Sequence, residues 1–225
     1  MIVLAIDCSA SLCAACVYDA ASGQELGRQV LDLGKGHAEH LMSVIAEALE
    51  KSGKVYADLN RIAVSVGPGS FTGVRVGVSA ARGLALALKI PAVGVTTLEA
   101  LAAETAIKFP SRTVLAALDA GRGEIHAALY DDKMQLRFGP AVTTLEDITE
   151  MAVSSQAVLS GTAAGLVAGA AGKSFDLGPL GATADIATYA RLGATKEPAE
   201  KPAPVYLREA DAKPQAGFVL PRASP

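Results

Sequence analysis

The chain has 225 residues, of which 51% are hydrophobic and 19% are charged, enough apolar material for one unit with a sizeable core or for two small lobes. Its formal net charge is −3, whereas a protein that binds nucleic acid by itself is normally basic, so the composition argues against a stand-alone nucleic-acid binder. The three cysteines, Cys8, Cys13 and Cys16, are an odd number close together, which is typical of a reducing cytoplasm.

The chain begins with an apolar run that does not resemble a targeting segment. Residues 1–6 have no basic residues before the apolar stretch and lead directly into Asp7, so we interpret them as the first β-strand. The Ala- and Gly-rich run over residues 157–172 is too short and too rich in glycine to span a bilayer. We therefore expect a cytoplasmic protein with no membrane association.

Residues 1–106 predict the element order βββαβαβα. The second strand ends at Asp19 and the third covers residues 25–33. A helix over 36–51 follows, with apolar residues at helical spacing on one face. A strand over 62–66, a helix over 74–89 and a strand over 92–95 come next. Thr96 or Thr97 then caps a helix that extends to residue 106, with Glu99 in its first turn.

A glycine loop lies between the strand over 62–66 and the helix over 74–89. It contains Gly67, Pro68, Gly69 and Gly73, and glycines at such a turn allow either another backbone or a phosphate to come close. A P-loop would need a lysine that this segment lacks, and the spacing from Gly69 to Gly73 is one residue too long for a Rossmann turn. The spacing favours a tight turn that docks a helix on its own sheet.

The helix that follows this loop is apolar on nearly all sides. Apart from Arg75 and Arg82, residues 74–88 are Val, Gly, Ala, Ser and Leu, whereas a surface helix normally has one charged face. The small residues would allow a second helix to pack closely. The two arginines are seven residues apart and share one face, which suits a rim or an acidic partner. We predict that this helix is covered on both sides and forms an interface.

A second set of elements repeats the first. Residues 4–19 and 115–131 each contain an apolar strand that ends in an aspartate, a small turn and a second strand ending in Tyr-Asp. The second copy continues with a strand over 134–142, a helix capped by Thr144, a short strand over 157–160 and helices near Thr162 and Asp185. This abbreviated repeat predicts a duplicated domain, with lobes over 1–106 and 107–209 and a poorly ordered tail over 210–225.

Two βββαβαβα lobes of this kind resemble the actin, sugar-kinase and Hsp70-like α/β plan, which is ribonuclease H-like. In that plan the first hairpin of each lobe grips phosphates, and a nucleotide lies between the lobes. Asp7 with Ser9, and Asp119 with Gly121, occupy the two phosphate-hairpin positions. The alternative is that Asp7 accepts backbone N–H bonds within its own turn, and the sequence leaves both open.

Six motifs resemble those of the bacterial tRNA threonylcarbamoyladenosine biosynthesis family TsaB, also called YeaZ. They are Ile-Asp-Cys-Ser at 6–9, His-Ala-Glu-His-Leu at 37–41, Val-Gly-Pro-Gly-Ser-Phe-Thr-Gly-Val-Arg-Val-Gly at 66–77, Gly-Val-Thr-Thr-Leu-Glu-Ala-Leu at 94–101, Leu-Asp-Ala-Gly-Arg-Gly-Glu at 118–124 and Pro-Val-Tyr-Leu-Arg at 204–208. They occur in this order along nearly the whole chain. The glycine-loop string is highly specific, whereas each of the others is weak alone.

The resemblance implies a subunit of the machinery that places threonylcarbamoyl on an adenine beside the tRNA anticodon. In that family the catalytic subunit is a paralogue, TsaD, which holds a metal with a His-x-x-x-His helix, and a small ATPase, TsaE, joins the pair. TsaB is the non-catalytic partner that docks on TsaD, so the resemblance implies only indirect contact with tRNA. It implies no intrinsic cofactor, and it leaves ATP or ADP at the partner interface as a candidate ligand.

The scaffold interpretation places the helices over 36–51 and 74–89 against the same helices of a partner, and predicts a homodimer when the chain is alone. A charged substitution at Gly77, Ala81 or Ala85 is then expected to dissociate the complex and leave the chain folded. The predicted partner interface comprises His37, Leu41, Ile45, Arg75, Gly77, Val78, Ala81, Arg82 and Ala85.

The sequence offers little support for a metal site or a hydrolase. Thr97 and Leu101 stand where the paralogue's two histidines would be, and neither side chain forms a metal site. His37 and His40 could share a helix face but lack a third ligand, so surface or capping roles are favoured, and His126 is interpreted as packing or surface. The cysteines are interpreted as core residues. The segment around Ser70 does not match Gly-x-Ser-x-Gly, so a peptidase is disfavoured.

The alternative function is an ATP-binding phosphotransferase or ATPase of the same fold. Asp7, Asp119 and a Gly-Thr-Ala-Ala-Gly loop at 161–165, which could approach an adenosine, support it. Against it, the second lobe is short and no general base is evident.

Overall fold

The first half of the chain forms a five-stranded mixed sheet. The computed structural model describes residues 1–207, and its first five strands are β1 (Ile2–Asp7), β2 (Leu12–Asp19), β3 (Gln24–Asp32), β4 (Arg61–Ser65) and β5 (Ala92–Val95). They form a sheet in the order β3-β2-β1-β4-β5, in which β1 pairs antiparallel with β2 and parallel with β4. The helices of this half are α1 (His37–Ser52), α2 (Phe71–Leu88) and α3 (Thr97–Lys108), with a 3₁₀ turn at Tyr56–Asp58.

The second half repeats this sheet without its fifth strand. Its strands are β6 (Val114–Asp119), β7 (Glu124–Tyr130), β8 (Leu136–Thr144) and β9 (Val158–Ser160), in the order β8-β7-β6-β9. β6 pairs antiparallel with β7 and parallel with β9, as β1 does with β2 and β4. The helices are α4 (Leu145–Ser155), α5 (Ala164–Ala171) and α6 (Ile186–Thr195). The duplicated and abbreviated plan that the sequence predicts is confirmed.

The elements stack in five layers because both sheets are apolar on both faces. Helices α1 and α2 cover the outer face of the first sheet, and α4 and α5 cover the outer face of the second. Helices α3 and α6 lie between the two sheets within one shared hydrophobic cluster. Cys13 faces the outer cluster of the first sheet and Cys16 faces the cluster between the sheets, so both are core residues, as the sequence predicts.

The two halves exchange their last helices. Helix α3 packs on strands β6, β7 and β9 of the second sheet, whereas α6 packs on β1, β2, β4 and β5 of the first. Gly193 of α6 makes this possible, because a Cβ there would overlap Ala63 of β4. The Arg61 guanidinium also donates to the carbonyl oxygens of Gly193, Ala194 and Lys196 at 2.7–3.0 Å, which holds the end of α6 on the sheet.

Local signals placed the helix starts well, with one correction. Thr96 caps α3 in a capping box with Glu99, and Thr144 and Asp185 cap α4 and α6. Helix α2 begins at Phe71, three residues before the predicted start. The Ser70 side chain accepts the Gly73 N–H at 3.2 Å, so the last glycine of the loop already belongs to the helix.

The predicted division into lobes over 1–106 and 107–209 stays a prediction, although the break between β-sheets falls close to it. The predicted tail over 210–225 lies outside the described residues.

Candidate functional site

The glycine loop seats directly on the first hairpin. A Cβ at Gly69 would lie 3.0 Å from the Ser9 carbonyl carbon, and one at Gly73 would lie 3.2 Å from the Cys8 carbonyl carbon, with both carbonyl oxygens closer still. The Ser70 N–H donates to the Ser9 carbonyl at 2.6 Å. The two glycines are therefore needed for one backbone to approach another. Of the two roles that the sequence left for this loop, the structure supports close backbone packing.

Asp7 is buried and both of its carboxylate oxygens are bound. One accepts the Ser9 N–H at 2.8 Å, and the other accepts the Thr183 hydroxyl at 2.7 Å. Because Thr183 gives its one proton to Asp7, the Tyr189 hydroxyl, 2.7 Å from Thr183, is the donor in that pair. Burial raises the pKa of Tyr189, which keeps this donor protonated. The turn interpretation of Asp7 is confirmed, with an added bond from the second half of the chain.

The second hairpin has the same turn in an exposed setting. The Asp119 carboxylate accepts the Gly121 N–H at 2.8 Å, as Asp7 accepts that of Ser9. The Asp119 N–H donates to the Thr162 hydroxyl at 3.0 Å. Gly161 has a positive φ of 92° and packs against the Ala117 carbonyl, so the 161–165 loop supports the hairpin directly.

A cleft of about 1160 Å³ lies between the halves. Ser9 and Asp119 bring the two hairpins to opposite walls, and Ser70 brings the glycine loop. The cleft lining also includes His126 and the segment at residues 204–207. Asp7, Ser9, Asp119 and Gly121 thus belong to two turns that border this cleft, and their role in holding a nucleotide stays a prediction.

The C-terminal segment at residues 204–207 was not predicted as part of the site. The Val205 N–H donates to the Val66 carbonyl at 2.8 Å, which fixes this segment beside the glycine loop. The Tyr206 hydroxyl accepts the Arg75 Nε–H at 2.7 Å, and the Arg75 guanidinium lies 3.6 Å from the Phe71 ring centroid. Its Pro-Val-Tyr-Leu-Arg motif marks the segment in the sequence, but the motif alone does not indicate where it packs.

The predicted interface residues divide into a buried and an exposed group. The members buried from solvent on α1 and α2 are His37, Leu41, Ile45, Gly77, Val78, Ala81 and Ala85. All of the apolar side chains among them belong to the cluster that packs on the first sheet. Arg75 and Arg82 are exposed. The prediction that Ala81→Glu leaves the chain folded is therefore wrong in its structural premise, because Ala81 is 0% exposed and a buried unpaired carboxylate destabilises a core.

The outer face of α2 carries apolar groups that residues 1–207, the described part of the chain, leave exposed. Only six of its 18 residues are buried, Leu86 is 80% exposed and Phe71 is 57% exposed. Met42 on α1 is 49% exposed. By length and composition alone, α2 could cross a membrane, a test that core helices of soluble proteins also pass. The sequence predicts that both sides of α2 pack against other elements. The first sheet packs on the inner side, so the predicted interface with a partner concerns this outer face.

The candidate metal ligands do not come together. Thr97 and Leu101 are fully buried at the start of α3, and the Thr97 hydroxyl lies 3.4 Å from that of Ser65. No group of three His, Cys, Asp or Glu side chains with metal-binding geometry occurs within residues 1–207. His37 is buried at the start of α1, and His126 lines the cleft.

Proteins of one known family are similar to this chain in sequence. TsaB of Escherichia coli, the tRNA threonylcarbamoyladenosine biosynthesis protein, is 35% identical over 130 residues, which is 58% of this chain and 55% of that protein. The family model described as TsaD, tRNA N6-adenosine threonylcarbamoyltransferase, matches residues 32–213. The chain belongs to this family, in its TsaB group. The match spans little more than half the length of the curated TsaB relatives.

Longer matches extend the similarity over the rest of the chain. An uncharacterized protein of Mycobacterium tuberculosis is 33% identical over 95% of this chain and 95% of its own length. The structure of YeaZ from Pseudomonas aeruginosa superposes with a TM-score of 0.73 at 25% identity, over 92% of this chain and 100% of that one. An inorganic polyphosphate/ATP-glucomannokinase from Arthrobacter, at 12% identity and a TM-score of 0.51 over 86% of this chain and 98% of its own, shares the fold alone. The actin and sugar-kinase-like fold is therefore confirmed.

Proposed function

We propose that this chain is a non-catalytic subunit of the cytoplasmic machinery that makes tRNA N6-threonylcarbamoyladenosine, and that it docks on TsaD through the outer faces of α1 and α2. The observation that carries the proposal is the apolar outer face of α2, on which the described residues leave Leu86 and Phe71 exposed; Met42 on α1 is exposed as well. Large exposed apolar patches on soluble proteins mark sites of interaction with other molecules.

The charges on these two helices support a partner with the same architecture. Helix α2 contains no Asp or Glu and exposes Arg75 and Arg82, whereas α1 exposes Glu39 and Glu50. If a related two-helix face packs against this one about a two-fold axis, the acidic helix of one lies on the basic helix of the other. TsaD suits this role because its family model matches most of this chain. A second copy of the chain suits it as well, and we propose a homodimer in the absence of TsaD.

The state of the first hairpin supports a non-catalytic role. Its Asp7 carboxylate is fully used in structural hydrogen bonds, and its backbone carbonyls at Cys8 and Ser9 contact the glycine loop. Thr97 and Leu101 occupy buried positions where the resemblance places the histidines of the catalytic paralogue. We propose that TsaE joins through the assembled pair, and that tRNA contacts the assembly chiefly through TsaD.

The docking face is tested by charge at its most exposed apolar residue. Leu86→Glu should weaken TsaD binding, because it buries an unpaired carboxylate in an apolar contact. We expect the binding free energy to fall by about 2 kcal/mol, which is a dissociation constant about thirtyfold higher. Ile107→Glu is the matched control, since Ile107 is 60% exposed at the end of α3, away from this face. Co-elution of the Leu86→Glu variant with TsaD at wild-type stoichiometry and concentration would contradict the proposal.

A nucleotide-binding enzyme is the second candidate, and the cleft is the observation that favours it. Its volume of about 1160 Å³ and the presence of both hairpins in its walls suit a nucleotide, and the Asp119 carboxylate is exposed there. ATP or ADP could also bind only once TsaD is present. Calorimetric titration of ATP into the chain, alone and with TsaD, separates these cases. Turnover by the chain alone that is lost in Asp119→Ala would favour the enzyme over the scaffold.

A further inference from the structure

A second cavity lies at the C-terminal end of α2, between that helix and the segment at residues 198–202. Its volume is about 560 Å³, within the range of roughly 300–1,000 Å³ typical of ligand pockets. The wall formed by residues 198–202 is held against the first sheet, because Pro202 is buried and lies 3.5 Å from the Cβ position of Gly94 on β5. Further along, the hydrogen bond from Val205 to Val66 anchors the same segment. The cavity is thus a formed groove with two fixed walls.

The floor of this groove is apolar and its rim is basic. Leu86, Ile90 and Pro91 come from the α2 side, and Pro198 and Pro202 come from the opposite wall.

Three cations lie around this floor, namely Arg82, Lys89 and Lys201, against one acid, Glu200. None of the three cations forms an ion pair with another side chain in the described part of the chain. The Lys89 side chain is also not needed to bind the last carbonyl oxygens of α2, because the backbone N–H groups of Lys89 and Ile90 already donate to those of Leu86 and Ala85.

We infer that this groove binds an acidic peptide segment of the docked partner, with one apolar side chain on the floor and flanking carboxylates on the rim. Charge complementarity argues for the acidic character, since an uncompensated cluster of cations attracts anions of a partner. The apolar floor argues for a peptide side chain over a phosphate. Among residues 1–207, no Phe, Tyr or Trp lines the groove, so this part of the chain offers no stacking surface of the kind that single-stranded nucleic acid uses.

The groove is continuous with the proposed docking face through Leu86 and Arg82, which belong to both. The inference therefore rests on the proposed function: a protein seated on α1 and α2 would place a neighbouring segment at the groove. It adds the chemistry of that contact, which the uncovered apolar face by itself does not define.

The test uses the isolated full chain and a fluorescein-labelled peptide Asp-Glu-Leu-Asp-Glu, followed by fluorescence anisotropy. We expect saturable binding that weakens with added salt and becomes at least about tenfold weaker in the Lys89→Glu/Lys201→Glu double variant. Lys89 directly follows the last residue of α2, Lys201 lies in the opposite wall of the groove, and both are exposed. Lys133→Glu, in an exposed turn of the second half, is the matched control and should bind the peptide as the wild type does.

The inference is overturned if there is no saturable binding up to about 1 mM peptide, if the double variant binds equally well, or if a charge-reversed Lys-Arg-Leu-Lys-Arg peptide binds equally well. Tighter binding of a short single-stranded RNA that the double variant loses would assign the groove to nucleic acid instead, and would also overturn it. Docking on TsaD is measured separately by co-elution. Retained docking without peptide binding rejects the groove alone, and peptide binding without docking rejects the proposed function alone.

Discussion

Two glycines of helix α2 should respond in opposite ways to the same substitution. Gly73 lies at the start of the helix against the first hairpin, where a Cβ would lie 3.2 Å from the Cys8 carbonyl carbon and closer to its oxygen. Gly83 lies in the exposed part of the helix, where an added Cβ would meet nothing within 4 Å beyond the backbone of its own helix. Gly73→Ala and Gly83→Ala therefore add the same methyl group to the same helix. At residue 73 this group meets another stretch of backbone, and at residue 83 it does not.

The expected magnitudes follow from these two environments. Overpacking against a rigid backbone costs about 1–3 kcal/mol, so Gly73→Ala should lower the free energy of unfolding by about 2 kcal/mol or more. Gly83→Ala should raise it by about 0.5–1 kcal/mol, because alanine favours helix over glycine in an exposed interior position. For a chain of this size, 1 kcal/mol corresponds to about 2–4 °C in Tm.

Thermal and urea unfolding followed by circular dichroism measure both effects. We expect Gly73→Ala to lower Tm by roughly 4–8 °C and Gly83→Ala to raise it by a few degrees. If Gly73→Ala is as stable as the wild type, the loop does not require close backbone contact with the hairpin, and the argument that assigns these glycines to packing fails.

Two further predictions concern contacts that join the halves of the chain. Asp7→Ala leaves the Ser9 N–H and the Thr183 hydroxyl without their acceptor, so it should lower the free energy of unfolding in urea by about 1–3 kcal/mol. In a double-mutant cycle with Thr183→Val the two losses should be less than additive, whereas additive losses would mean that the two side chains do not interact. Burial acts to raise the pKa of Asp185, but hydrogen bonds from Arg28 and the Ala187 N–H hold this pKa below its usual value. The ionised Asp185 carboxylate therefore stabilises the fold near neutral pH, and this stabilisation is lost as the pH falls through the lowered pKa. In Arg28→Ala the pKa of Asp185 should rise in an NMR titration of its carboxyl group and the acid-induced loss should begin at higher pH, whereas an unchanged titration would refute the pairing.

Much of the fold could be predicted from the sequence because its signals are local. Thr96, Thr144 and Asp185 are cap residues directly before periodic segments, and the aspartates that end β1 and β6 mark the repeat. These signals depend on hydrogen bonds within a few residues, so a single sequence carries them.

The packing partners of the helices could not be predicted in the same way. Helices α3 and α6 exchange sheets, and the contact between Gly193 and Ala63 joins residues far apart in the chain. Apart from Arg75 and Arg82, α2 has small or apolar residues on every side, so the pattern did not distinguish buried Ala81 from exposed Leu86. The predicted interface residues on α2 consequently include mostly inward-facing ones, and the site prediction did not include Thr183, Tyr189 or Tyr206.

The most direct test of the central claim is the dissociation constant for TsaD measured by isothermal titration calorimetry with the wild type and Leu86→Glu. Leu86 is 80% exposed, so the substitution should leave the Tm of the isolated chain nearly unchanged. The docking account predicts a dissociation constant at least about thirtyfold weaker for Leu86→Glu, with Ile107→Glu at the wild-type value. An unchanged dissociation constant for Leu86→Glu would show that TsaD does not bind the outer face of α2.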